Sequence, residues 1–134
     1  MAVQLIRAAD LYGGVPYAYA SVAAVPSDEL VFAAGACPLD ENGKVVGDDV
    51  RAQARQAVGN LVAALRTAGA DLADVLKTTI YVASADRADL VSAWDVIRAA
   101  FGDHDAPSTL LGVTVLGYPG QLVEIEAVAT ANRR

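Results

Sequence analysis

A helical stripe in the middle of the chain is the feature that most constrains its fold. Between positions 50 and 65, apolar residues recur at three- and four-residue spacing, which places them along one side of a helix. These residues are Val50, Ala54, Ala57, Val58, Leu61 and Leu65. Asp48 or Asp49 can cap the start of this helix, and Ala68-Gly69 ends it, because glycine readily takes the left-handed conformation that follows a helix. A helix with one apolar side must pack that side against another element.

Strand patterns lie on both sides of this helix. Alternating or β-branched apolar segments predict strands at Val3–Arg7, Pro16–Val25, Glu29–Ala34, Val75–Ala83, Thr109–Leu116 and Leu122–Thr130. A second helix is expected after the caps Ser84 and Asp86, with Leu90, Trp94, Ile97 and Phe101 on one face. The turn residues Pro26-Ser27-Asp28 predict that the second and third strands form a hairpin. Asn42-Gly43 predicts a tight turn that closes a small ribbon.

The predicted order β-β-β-α-β-α-β-β indicates an α+β fold with one mixed sheet and both helices packed on one face of it. A length of 134 residues favours one domain, residues 1–134. The opposite face of the sheet also contains apolar positions. Hydrophobic residues make up 54% of the chain, a surplus for a small monomer, so we expect another subunit to cover that face.

Charge and cysteine content limit the functions to be considered. The net charge is −6 and the chain has no basic stripe, so a nucleic-acid partner is not expected. No apolar stretch of about 18 residues can span a membrane, and MAVQLIRAAD lacks the apolar core of a signal peptide. We therefore predict a cytoplasmic protein without a membrane partner. Cys37 is the only cysteine, which rules out an intramolecular disulfide and argues against a cysteine-based metal site.

Several short segments, in their order and spacing, resemble the RidA/YjgF family over nearly the whole chain. They are Val15-Pro16-Tyr17, Ala34-Gly35-Ala36-Cys37-Pro38, Ala52-Gln53, Gln56, Asn60, Leu65, Ala68-Gly69, Asp74-Val75, Lys77-Thr78-Thr79, Tyr81-Val82 and Leu122-Val123-Glu124-Ile125-Glu126-Ala127. The resemblance implies a chorismate-mutase-like subunit and a homotrimer with small-molecule clefts between its subunits. It also implies hydrolysis of enamines or imines to ammonia and a 2-oxo acid, with no metal and no organic cofactor.

The resemblance assigns site residues one by one. Glu124 matches a glutamate on the last strand that positions a water molecule, so it is the predicted catalytic residue. Tyr17 matches a tyrosine that lines the cleft, and Ala34 stands where the family usually has serine. Backbone groups near Gly35 are expected to complete the site. Cys37 follows the third strand near the cleft, although a lone cysteine is usually a small buried hydrophobe.

The family's carboxylate-binding arginine is missing from this chain. Thr109 stands in its place, and Leu111 occupies the nearby cysteine or threonine position. Arginine grips a carboxylate through two parallel charge-assisted hydrogen bonds, and threonine has neither the charge nor the fork. We therefore expect substrate-binding roles for Thr109 and Leu111 with altered substrate choice, toward a neutral or differently oriented molecule.

Other candidate residues have simpler structural interpretations. Glu126 shares a sheet face with Glu124 because the two are separated by one residue on a strand, and we predict a structural role for it. Tyr118 is expected to cover the core from a turn. Asp103-His104-Asp105 looks like a metal cluster, but consecutive loop residues seldom converge on one ion. Lys77 is predicted to be a snorkelling or interface residue.

Two functions of different classes remain. The first is a hydrolase or deaminase that acts on an enamine, an imine or a related reactive nitrogen compound. The second is a binding or pathway accessory protein that holds a metabolite without turning it over, which the missing arginine and serine favour. A ribonuclease role, known for some relatives, fits poorly with a net charge of −6.

Overall fold

Six strands, two α-helices and one short 3-10 helix form the structure, a computed structural model that describes residues 3–24 and 29–131. The strands are β1 (Gln4–Ile6), β2 (Ala20–Val22), β3 (Glu29–Phe32), β4 (Val75–Val82), β5 (Ser108–Gly112) and β6 (Val123–Ala131). The helices are α1 (Val50–Thr67) and α2 (Arg87–Phe101), and the 3-10 turn Leu72–Asp74 leads into β4. Neither α-helix in these ranges is long and apolar enough to cross a membrane.

The main sheet is mixed and has the strand order β3-β6-β4-β5. β6 runs antiparallel to both of its neighbours, whereas β4 and β5 are parallel and are joined by α2. The predicted α+β fold with a mixed sheet and two helices is confirmed. The predicted hairpin of the second and third strands is wrong, because β2 pairs with β1 in a separate ladder while β3 pairs with β6. Its turn, Pro26-Ser27-Asp28, lies outside the described residues.

Both helices cover one face of the main sheet. The whole predicted stripe of α1 is buried against that face, and Asp49 caps the helix by accepting a hydrogen bond from the Ala52 amide at 2.8 Å. From the sheet, the alternate residues Val123, Ile125 and Ala127 of β6 enter the same core. The helix period and the strand period therefore agree on where the core lies.

A β-bulge near the start of β4 reverses which residues face the helices. The register between β4 and β6 shifts between Val75 and Lys77, so that both Val75 and Thr78 are buried. In a regular strand of the same residues, Lys77 would point to the same side as Val75. The Ser21 hydroxyl of β2 donates to the Leu76 carbonyl at the bulge over 2.6 Å, which satisfies a group in this irregular stretch.

β2 and β5 are much shorter than predicted. The segment before β2 is irregular, and the Arg7 guanidinium donates hydrogen bonds to the backbone carbonyls of Val15 and Tyr17 there. β5 ends at Gly112 because its partner β4 ends at Val82, and no strand pairs with the chain beyond that point within the described residues. The predicted ribbon around Asn42-Gly43 is present, with Gly43 at a φ of 77°.

A buried glutamine ties the start of α1 to the approach of β6. The side-chain nitrogen of Gln53 donates to the carbonyls of Gly47 at 3.1 Å and Gly120 at 2.9 Å. Its oxygen accepts from the Leu122 amide at 2.6 Å. One amide group thus satisfies three backbone groups in a region from which water is excluded.

We expect Gln53→Leu to lower the free energy of unfolding by at least about 2 kcal/mol, because it leaves buried backbone groups without partners. Chemical denaturation of the purified protein measures this change. Arg51→Leu, an exposed position on the same helix, is the control and should change stability by less than about 0.5 kcal/mol. Equal stability of the two variants would contradict the role given to Gln53.

Candidate functional site

The face of the main sheet opposite the helices carries the polar residues of its central strands. We call it the open face, and its side chains are Phe32, Lys77, Thr79, Tyr81, Thr109, Leu111, Glu124, Glu126 and Val128. Glu124 and Glu126 alternate on β6 with core residues, so both carboxylates lie on this face. The predicted shared orientation of the two glutamates therefore agrees with the structure.

Glu124 is held by two donors on one of its oxygens. Oε1 accepts from the Gln121 side-chain nitrogen at 3.2 Å and from the Cys37 thiol at 3.3 Å. Gln121 is itself buried, and its nitrogen also donates to the Val123 carbonyl at 3.0 Å. Oε2 makes no hydrogen bond within the part of the chain that is described, so this oxygen is available to an incoming group.

The absence of a side chain at Gly35 leaves the space that the Glu124 carboxylate occupies. A Cβ atom at this position would lie 2.0 Å from Oε2 of Glu124, far inside van der Waals contact. The segment is fixed beside β6 because the Ala36 amide donates to the Ile125 carbonyl at 2.6 Å and the Ile125 amide donates back at 3.1 Å. Any larger residue at position 35 would displace Glu124, so the glycine is required for this arrangement.

Cys37 contacts the predicted catalytic residue directly. Burial raises the pKa of its thiol, and the hydrogen bond and negative charge of Glu124 raise the pKa further. The side-chain nitrogen of Asn60 fixes the neighbouring backbone by donating to the Cys37 carbonyl at 2.8 Å. The thiol thus acts as a hydrogen-bond donor to the carboxylate.

Thr109 and Leu111 lie together on the open face of β5, one of the two edge strands of the main sheet. The Lys77 ammonium donates to the Thr109 hydroxyl at 2.5 Å. β4 separates these residues from β6, and two strand spacings amount to about 10 Å. Within one chain, Thr109 and Leu111 are therefore not brought together with Glu124.

Tyr17 lies in a third place. Its ring packs edge-on against Trp94 of α2, with 6.5 Å between ring centroids, and lines a hollow of about 350 Å³ with Ser108 and Leu110. Ser108 and Leu110 alternate with Thr109 along β5, so Tyr17 lies on the helix side of that strand. Ala34 is exposed next to Gly35 and makes no side-chain hydrogen bond, whereas the family's serine would have offered a hydroxyl there.

The remaining candidates have structural contacts. The Tyr81 hydroxyl donates to Glu126 at 2.6 Å, a bond that raises the pKa of the tyrosine. His104 Nε2 lies 2.7 Å from the Val75 carbonyl oxygen, and Asp105 forms ion pairs with arginines on both sides. Within the described ranges, no group of three or more His, Cys, Asp or Glu side chains could hold a metal ion. Tyr118, which was expected to cover the core, is exposed in its turn.

The fold and these contacts define a class of small α+β proteins with a carboxylate seated on glycine backbone at the open face of a mixed sheet. The family model described as Endoribonuclease L-PSP matches residues 15–131. The chain therefore belongs to this family, which is the Rid/YjgF family.

Relatives of this chain include an enzyme of defined activity. The chain is 34% identical to the 2-iminobutanoate/2-iminopropanoate deaminase of Salmonella typhimurium over 110 residues, which are 81% of this chain and 84% of the relative. It is also 34% identical to a RutC family protein of Pyrococcus horikoshii over 107 residues, 79% of this chain and 82% of the relative.

Solved structures agree with this assignment. A protein of unknown function of the Rid family from Yersinia pestis has a TM-score of 0.87 and 34% identity, covering 96% of this chain and 98% of the other. A YjgF/YER057c/UK114 family member from Mycobacterium tuberculosis has a TM-score of 0.65 and 34% identity, covering 95% of this chain and 98% of the other.

Two contacts at the site were not predicted from the sequence. No sequence pattern singled out Gln121 as the donor to Glu124 that it is in the structure. The bond from Lys77 to Thr109 joins residues 32 positions apart, and parallel pairing of their strands was the signal that would have found it.

We expect the pH midpoint of Cys37 alkylation to fall in Glu124→Gln. The neutral amide no longer favours the protonated thiol through charge, so the pKa of Cys37 moves down toward its ordinary value. The rate of iodoacetamide labelling as a function of pH measures this, and Cys37 is the only cysteine in the chain.

Glu126→Gln is the matched control for this measurement, since Glu126 bonds to Tyr81 and makes no bond to Cys37. It should keep the midpoint of the wild type. A midpoint that moves equally in both variants, or in neither, would rule out the direct contact between Cys37 and Glu124.

Proposed function

We propose that this protein is a hydrolase of reactive imines or enamines, in which Glu124 guides the attacking water. The observation that carries the proposal is the environment of the Glu124 carboxylate. Its Oε1 accepts hydrogen bonds from Gln121 and Cys37, and its Oε2 lies beside Gly35 without a hydrogen-bond partner among the described residues. Identity of 34% to an imine deaminase supports the same reaction type. A carboxylate fixed on one oxygen and open on the other can orient a water molecule.

The chemistry requires only water and proton transfer. Glu124 accepts a proton from water as the water oxygen bonds to the imine carbon, and the proton passes to the imine nitrogen. The resulting carbinolamine transfers its hydroxyl proton to the nitrogen, the carbon–nitrogen bond breaks, and ammonia leaves with a carbonyl product. The amide of Gly35 has no acceptor within the described residues and would donate to the reacting molecule.

Substrate choice should differ from that of relatives that carry the arginine. Thr109 cannot grip a carboxylate through two charged hydrogen bonds. The resulting preference is for a neutral molecule or for one oriented differently in the cleft, with Tyr17, Ala34 and Leu111 as further lining residues.

A complete site would need a second copy of the chain. Glu124 lies toward the β3 side of the open face, whereas Thr109 and Leu111 lie at its β5 edge. Large apolar side chains are exposed at both ends, with Phe32 exposed by 74% and Leu111 by 42%. A homotrimer that brings the β5 edge of one copy to the β3 side of the next would bury these residues and join the two groups.

We expect freshly generated 2-iminobutanoate or a neutral imine to release ammonia faster with the protein than without it, and Glu124→Gln to lower this rate at least roughly 100-fold. Glu41→Gln, an exposed change of the same type, should keep the wild-type rate. Wild-type turnover by Glu124→Gln would remove Glu124 from the mechanism.

The variant Thr109→Arg tests whether the protein is catalytically competent but prefers a substrate without a carboxylate in the usual position. Ammonia release that appears only in this variant would mean that the scaffold is competent but that the natural substrate is another molecule. Silence from both proteins, together with saturable ligand binding, would favour the alternative of a non-catalytic metabolite-binding or accessory protein.

The native mass tests the proposed trimer. We expect sedimentation analysis to give three times the 13.8 kDa mass of one chain. Phe32→Asp should lower this mass, because it places a charge in the contact between copies. A monomeric wild type that still turns over substrate would contradict a site shared between subunits.

A further inference from the structure

The four strands of the main sheet contain a single basic residue, Lys77, and its ammonium reaches position 109. We propose that Lys77 and Thr109 together bind the carboxylate of the substrate, so that Lys77 supplies from β4 the positive charge that position 109 lacks. The inference rests on the proposed function and names its substrate class, a short imino acid rather than a neutral imine.

The geometry of the pair leaves several donors available. Lys77 uses one N–H on the Thr109 hydroxyl oxygen at 2.5 Å and has two more. Because that oxygen accepts from the ammonium, the hydroxyl proton remains free to donate. A carboxylate has two acceptor oxygens, and one can meet the ammonium while the other meets the hydroxyl.

The charges on the open face are separated. Both carboxylates, Glu124 and Glu126, lie on β6, while the ammonium is directed across the sheet toward β5. Glu126 is engaged by Tyr81 at 2.6 Å, and no carboxylate lies within 4.0 Å of Lys77 in the part of the chain described. The ammonium thus has no ion-pair partner among the described residues, and Glu126, the carboxylate that lines the same hollow, is already engaged by Tyr81.

The surroundings of the Lys77 ammonium favour a bound anion beside it over water alone. Lys77 lines a hollow of about 310 Å³ with Phe32, Thr79 and Glu126, and its partial burial lowers its pKa. Burial disfavours a charged ammonium unless an opposite charge is near. A bound carboxylate would offset that cost, which a neutral ligand cannot do.

An ammonium also differs from the arginine that it would replace. It acts as a point charge without the planar fork of a guanidinium, so it constrains the direction of the carboxylate less. The substrate would keep its carboxylate but bind in a different orientation. Thr109 by itself is compatible with a neutral substrate or with a carboxylate bound in a different orientation. The contact of Lys77 with Thr109 supports the second of these.

The test uses the product 2-oxobutanoate and its neutral amide, 2-oxobutanamide, in NMR titrations of the full-length protein. The wild type should bind the acid roughly tenfold or more tightly than the amide. Lys77→Met should lose this preference, and Lys77→Arg should keep it. Lys44→Met removes the other lysine of the chain, which is exposed, and should behave as the wild type.

Thr109→Val serves if Lys77→Met does not fold, since it removes only a hydroxyl from an exposed strand position. It should weaken acid binding several-fold with little effect on the amide. Equal binding of acid and amide by the wild type, binding of neither, or an acid preference that survives Lys77→Met would overturn the inference.

Two further outcomes are distinguishable. Acid binding that depends on Lys77 in a protein that releases no ammonia would support this inference and contradict the deaminase proposal. A fall in native mass in Lys77→Met, with no acid preference in the wild type, would mean that Lys77 pairs with a carboxylate of a neighbouring copy, and the inference would be wrong.

Discussion

The pairing of β6 between β3 and β4 is the constraint on which the rest of the structure depends. Strand alternation on β6 sends Val123 and Ile125 into the core below the helices and leaves Glu124 on the open face. The same strand pairs beyond β3 with Ala36, and this bridge brings Gly35 and Cys37 against the Glu124 carboxylate. One backbone ladder therefore builds the core and the candidate site together, so that a shift of its register would destroy both.

Among the buried polar contacts, neutral amides rather than ion pairs link the elements around the apolar core. Gln53 joins α1 to the chain that enters β6, and Gln121 joins that chain to Glu124. The ion pairs Arg7–Asp105, Arg66–Asp71 and Arg98–Asp105 involve partly exposed arginines, where such pairs contribute about 1 kcal/mol or less. Buried amides cost more to lose, because their removal leaves backbone groups without partners. The positioning of Glu124 is thus linked to the same network that stabilises the fold.

Local patterns in the sequence were enough to predict both helices, because each has an apolar stripe and a capping aspartate. They were also enough to place Glu124 on the face away from the core. They could not reveal which strands become neighbours: β3 follows β2 closely in sequence, yet it pairs with β6, about 100 residues later. Pairing at such separation leaves no local signature, and so the turn at 26–28 suggested a hairpin that does not form. The contact of Lys77 with Thr109 was missed for the same reason, and so was the bond of Cys37 to Glu124, which depends on the pairing of β3 with β6.

The bulge at Leu76 determines which residues of β4 face the core and which lie on the open face. A connection between a helix and a strand usually tolerates the gain or loss of a residue. Within β4, regular alternation of the same residues from Val75 would turn Lys77 into the core and carry Thr78 and Ile80 to the open face, whereas deletion of Leu76 would remove the bulge and leave all three in place. The bulge and the extra residue therefore have to be gained or lost together. A relative with a regular strand here could keep the lysine on the open face only with one residue fewer in β4.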